Sequence, residues 1–216
     1  MRPDPQHPHA GQPVLHSGPA IKDARLVAIM IHGRGASAED ILGLSSEFNT
    51  GGITYLAPQA AGRTWYPYSF LSPVPQNEPG ISSGLGVIGE LIEEVARQGV
   101  PAERVALMGF SQGACLAVEF AARHARRYAV IAGFSGGLIG PAGTPRDYEG
   151  SFDSTPVFLG CSDIDPHIPL ERVHESAEVF RRMGGSVDER IYPRMGHTVN
   201  RDELDAVEAL LENAGK

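Results

Sequence analysis

From Leu26 onward, short apolar runs rich in β-branched residues alternate with longer amphipathic stretches, a pattern that few folds accommodate. The runs predict strands at Leu26–Ile31, Ile53–Ala57, Val105–Gly109, Ala129–Phe134, Val157–Gly160 and Glu189–Tyr192. They are short and mostly apolar, too much so to show one face to water, and read as parallel strands covered by helices on both sides. Between them, Leu85, Ile88, Leu91, Ile92 and Val95 share one face of a helix over Ser82–Gln98, which Gly99 ends. Leu170–Met183, stopped by Gly184 and Gly185, and Arg201–Asn213 repeat the helical pattern. The class is therefore α/β with a mostly parallel central sheet. The stretches Gly62–Ile81 and Gly136–Thr155 read as loops beside a site.

No internal repeat or linker interrupts this pattern, and 216 residues with 42% apolar content suit one domain over residues 13–216. Residues 1–12, with Pro3, Pro5, Pro8, His7 and His9, offer little to bury and are expected to form a flexible tail. His7-Pro8-His9 has the side chains of a metal site, but in such a tail it reads as solvated, and no metal or other cofactor is expected. A net charge of −8 argues against nucleic acid and anionic membrane surfaces as partners. No apolar run is long enough for membrane insertion, and the Pro- and His-rich start is unlike a signal peptide. Cys115 and Cys161 fall in predicted core elements, which points to free thiols and a cytoplasmic location.

Gly109-Phe110-Ser111-Gln112-Gly113 stands directly between a predicted strand and the helical run that starts at Ala114. A serine on so tight a turn is held in a strained conformation, and glycines two residues to either side let strand and helix approach closely. Its hydroxyl then faces the positive end of the helix, a setting that suits a nucleophile generating an oxyanion. An ordinary serine in a glycine turn and a phosphate loop are the competing readings. No Gly-x-Gly-x-x-Gly or Walker lysine supports the phosphate loop.

Such a serine needs a base, and the base needs an acid to orient it. His197, in Arg194-Met195-Gly196-His197-Thr198, lies between the last strand and the last helix, at the carboxyl edge of the sheet where reactive groups gather. His7, His9 and His16 lie in or near the tail, and His124 and His174 fall within helices. His32, in a glycine turn after the first core strand, is the competing base. For the acid, Asp165 precedes a proline that holds it at a turn, and Asp163 is the fallback. A tetrahedral intermediate also needs two donors. The N–H of Gln112 supplies one, and the N–H of Arg34, in His32-Gly33-Arg34-Gly35, is assigned as the other.

His32-Gly33-x-Gly35, Ala57-Pro58 with Trp65-Tyr66, Gly109-Phe110-Ser111-Gln112-Gly113-Ala114, Asp163-x-Asp165-Pro166-x-Ile168-Pro169 and Gly196-His197 occur in one order along most of the chain. In these elements the sequence resembles the phospholipase/carboxylesterase family of α/β-hydrolases, which includes small bacterial carboxylesterases and acyl-protein thioesterases. The resemblance implies an α/β-hydrolase fold, Asp165 as the acid, and Arg34 and Gln112 as oxyanion donors.

With no inserted helical segment to form a lid, the site is expected to be open to small and medium soluble esters. Trp65, Tyr66, Phe110 and Ile168 are the expected substrate-binding residues. The alternative for the aromatic loop around Trp65 is that it only anchors itself in the core. The Arg34 guanidinium is expected at the mouth, where it would attract a carboxylate or phosphate. The rival functions are a thioesterase or lysophospholipase acting on longer acyl chains, and a catalytically silent hydrolase-fold binding protein. A homodimer would have to pair through apolar surface around the site loops or helices.

Overall fold

The computed structural model describes residues 4–214. Its centre is a seven-stranded sheet in the order β1-β3-β2-β4-β5-β6-β7. The strands are β1 (Val14–Ser17), β2 (Leu26–Ile31), β3 (Ile53–Pro58), β4 (Val105–Phe110), β5 (Val130–Phe134), β6 (Pro156–Ser162) and β7 (Ser186–Tyr192). All neighbouring strands run parallel except β1, which pairs antiparallel with β3 at the edge.

Both faces of the sheet are covered, as the continuous apolar strands require. Val27, Ile29 and Ile31 of β2 join the core beneath α2 (Gly80–Arg97), α3 (Gln112–Arg123) and α4 (Leu170–Arg182). Leu26, Ala28 and Met30 face α1 (Ala38–Gly43) and α5 (Arg201–Asn213). Each fully buried Leu or Ile contributes about 1.5–3 kcal/mol. No helix among the described residues is long and apolar enough to cross a membrane.

The chain steps from β2 out to β3 and back to β4, so the carboxyl ends of β2 and β4 lie side by side where the winding reverses. Clefts of open parallel sheets form at such points. Ile31 pairs with Gly109, which brings the turn after β2 next to the turn after β4. Ser162 pairs with Tyr192, which does the same for the loops after β6 and β7.

The expectation that this stretch, read as a flexible tail, offers little to bury is corrected at His9; residues 1–3 lie outside the described residues. His9 is 3% exposed, and its N–H donates to Ser83 Oγ of α2 at 3.0 Å. A tail rich in Pro and His can bury a polar ring when the body supplies partners for both ring nitrogens, and that information lies elsewhere in the chain. The prediction also omits β1 and α1, which are too short to show a period. It starts β7 at Glu189 because the polar residues Ser186 and Asp188 mask an edge strand.

Candidate active site

β4 ends at Phe110 and α3 begins at Gln112, so Ser111 alone makes the turn, with φ 56° and ψ −121°. This is the left-handed region that residues with a Cβ rarely adopt. The flanking glycines make the turn possible. A Cβ on Gly113 would collide with the backbone carbonyls of Ile31 and His32, and one on Gly109 with the backbone of Gly113.

The register of β6 and β7 brings the other two groups of the expected triad to this turn. Ser111 Oγ lies 2.8 Å from His197 Nε2, and His197 Nδ1 lies 2.7 Å from Asp165 Oδ2. The Asp165 side chain is fully buried. Burial pushes its carboxyl up, but hydrogen bonds from His197 and from the N–H groups of His167 and Ile168 outweigh this and hold it below the usual value. A buried, ionised acid beside Nδ1 selects the tautomer that leaves Nε2 free to accept the serine proton. Asp163 does different work: its Oδ1 accepts the Arg194 N–H at 2.7 Å and pins the start of the His197 loop.

His32 is committed to its own loop. Its Nε2 accepts the Ala60 N–H at 3.0 Å, and its Nδ1 donates to the Gly33 carbonyl at 2.8 Å. Burial holds its pKa below the ordinary value, with the Gly33 carbonyl bond opposing. A ring with both nitrogens bonded to the backbone has none free to accept a proton from Ser111. The Arg34 N–H meets no protein acceptor among the described residues, and the Gln112 N–H is in the first turn of α3, where no intrahelical acceptor exists. Both residues line the same cleft as Ser111, so the two expected donors and the expected nucleophile share one space.

That cleft has a volume of about 400 Å³, and Tyr66, Phe110 and Ile168 line it as expected. Trp65 does not and is corrected: it is fully buried behind the wall, where its Nε1–H donates to the His32 carbonyl at 2.9 Å. It anchors the loop, the second reading of that aromatic stretch. The Arg34 side chain reaches the cleft, but its guanidinium donates to the carbonyls of Pro67 at 2.8 Å and Tyr68 at 2.6 Å. Tyr68 and Phe70 of the same aromatic loop, read from the sequence as a pocket wall, line it too; His167, which the sequence does not single out, completes the lining. His167 packs edge-on to His197 with centroids 4.9 Å apart, and its place two residues after Asp165 is the signal that could have found it. The 136–155 loop stands behind the cleft wall, where the Gly140 N–H donates to the Phe70 carbonyl.

A family model described as Phospholipase/Carboxylesterase matches residues 18–214. The chain belongs to this family of hydrolases. A phospholipase/carboxylesterase from Dyadobacter fermentans DSM 18053 superposes with a TM-score of 0.90 at 40% identity, covering 93% of this chain and 96% of that one. Acyl-protein thioesterase 1 of Gibberella zeae is 32% identical over 139 residues, 63% of this chain and 59% of that protein. The match spans less than two thirds of such curated relatives; for a Neurospora crassa protein of the same name it spans 56%. Zea mays acyl-protein thioesterase 2, at 18% identity and a TM-score of 0.74, shares the α/β-hydrolase fold.

Proposed function

We propose that the protein is a serine carboxylesterase that cleaves small to medium carboxylic esters through an acyl-enzyme on Ser111. The observation that carries this reading is the unbroken chain of short contacts from Ser111 Oγ through His197 to Asp165 Oδ2. Ser111 Oγ attacks the ester carbonyl while its proton passes to His197 Nε2, and Asp165 stabilises the imidazolium. The negative oxygen that forms points at the N–H groups of Arg34 and Gln112. Collapse breaks the bond to the alcohol oxygen, which leaves with the proton from His197. Water, deprotonated by the same histidine, then releases the acid and restores the serine.

The open cleft and the absence of an inserted helix between β5 and β6 among the described residues favour soluble monomeric esters over lipid interfaces. The names of the fungal relatives favour a second reading, hydrolysis of thioesters or longer acyl chains. A panel of p-nitrophenyl esters from acetate to palmitate, with matched acyl thioesters, tests both. The proposal expects turnover greatest on short or medium esters and lost in Ser111→Ala. Turnover confined to long thioesters would replace it with the second reading. No turnover by the wild type would leave the binding-protein reading.

A further inference from the structure

Outside the cleft, His9 is a buried titratable side chain with both ring nitrogens bonded, in a segment whose sequence offers no reason to pack. Its ring is fixed on every side. Nε2–H donates to the Trp65 carbonyl at 2.7 Å, and Nδ1 accepts the Ala61 N–H at 3.1 Å. The ring stands edge-on to the Trp65 indole with centroids 5.1 Å apart. These partners demand one tautomer of a neutral imidazole, and burial, against the Trp65 carbonyl bond, lowers its pKa accordingly.

What His9 holds is connected to both halves of the oxyanion hole. The Trp65 N–H donates to Gln112 Oε1 at 2.9 Å, and Gln112 Nε2 donates to the Tyr66 carbonyl at 2.8 Å. Trp65 therefore grips the residue whose own N–H is one oxyanion donor. Through its indole N–H it also holds the His32 carbonyl, two residues before Arg34, the other donor. Trp65 is a brace across the two donors, and His9 fixes the brace from the side away from the cleft.

We infer that His9 is a positioning residue for the oxyanion hole, so that the segment before β1 forms part of the catalytic apparatus without touching substrate. The inference rests on the esterase reading. Its distinguishing consequence concerns kcat: donors displaced from the developing oxyanion slow the chemistry while leaving ground-state binding in the cleft largely intact.

The test compares His9→Ala, His9→Gln and His9→Asn on a p-nitrophenyl ester that the wild type hydrolyses, with rates normalised to the sites labelled by a fluorophosphonate. Gln places an amide donor near the position of Nε2, and Asn reaches only the position of Nδ1. The expected result is a fall in kcat per labelled site of about tenfold in His9→Ala, with KM within about twofold. His9→Gln should recover most of the loss and His9→Asn should not. Emission from Trp65, the one tryptophan of the chain, should shift in His9→Ala and His9→Asn and return in His9→Gln. A wild-type kcat per labelled site in His9→Ala would overturn the inference, because His9 would then matter to folding alone. Equal loss in His9→Gln and His9→Asn would overturn the route through Trp65. A wild type inactive on every ester is a different outcome, and it brings down the esterase reading with the inference built on it.

Discussion

Glu203 is fully buried in the first turn of α5, with one carboxylate oxygen committed and the other unpartnered. Its Oε2 accepts the Asn200 N–H at 2.8 Å, while Asn200 Oδ1 accepts the Glu203 N–H at 3.0 Å, a reciprocal cap that closes the loop carrying His197. Burial pushes the Glu203 carboxyl from 4.5 up to about 7, with the Asn200 bond opposing and Asp202 adding to the rise. At low pH the side chain is protonated in both the folded and the unfolded chain and carries no penalty. Between pH 4.5 and about 7 the unfolded chain releases its proton while the folded one keeps it, so stability falls as pH rises. Above about 7 both forms are ionised, and the accumulated penalty levels off at about 3 kcal/mol. Glutamine does not titrate, so the stability of Glu203→Gln relative to wild type should rise by about 3 kcal/mol from pH 4.5 to 8. The difference in Tm should change by about 6–12 °C over the same range. His9, His32 and His124, held low by burial, shift stability with pH in the opposite sense, and they cancel in the comparison. Urea denaturation followed by circular dichroism at pH 5, 6, 7 and 8 measures the effect. A stability difference independent of pH would refute the reasoning.

Gly113→Ala should lower stability by about 3 kcal/mol or more, read as a fall in Tm and in folded yield, because the backbone carbonyls at the end of β2 already occupy the space of a Cβ. Asp165→Asn keeps the shape of the site, but its amide N–H faces Nδ1, donates to it and leaves the ring proton on Nε2, so kcat on a short ester should fall by about 10³–10⁴-fold with little change in KM. Arg34→Ala frees the Pro67 and Tyr68 carbonyls that its guanidinium holds, and KM should rise several-fold for neutral esters as that wall of the cleft loosens. A rise confined to acidic esters would instead support a role for the guanidinium in attracting anions.

The sheet and the meeting of Ser111, His197 and Asp165 were legible because their signals are local. Val105–Phe110 followed by Gln112–Arg123 is a strand and a helix in the pattern itself, and glycines at 109 and 113 mark where the two must nearly touch. Asp165 and His197 were readable because each follows a strand on the same edge. The cleft walls were less readable. Trp65 and Tyr66 are adjacent aromatics, yet Tyr66 lines the cleft and Trp65 braces it from behind, and Gln112, which bonds the backbone of both, is distant in sequence. His9 was illegible for the same reason, since its partners at Ala61, Trp65 and Ser83 become neighbours only after the fold forms. Hydrophobic period locates elements; it carries no information about polar partners far along the chain.

Covalent capture shows directly whether Ser111 is an activated nucleophile. The wild type, Ser111→Ala and His197→Ala would be incubated with a fluorophosphonate and analysed as intact proteins and as peptides by mass spectrometry. The account predicts one adduct per wild-type chain, on the peptide that contains Ser111, none in Ser111→Ala, and labelling slowed by several orders of magnitude in His197→Ala. An unlabelled wild type, or an adduct on another residue that persists in Ser111→Ala, would contradict it.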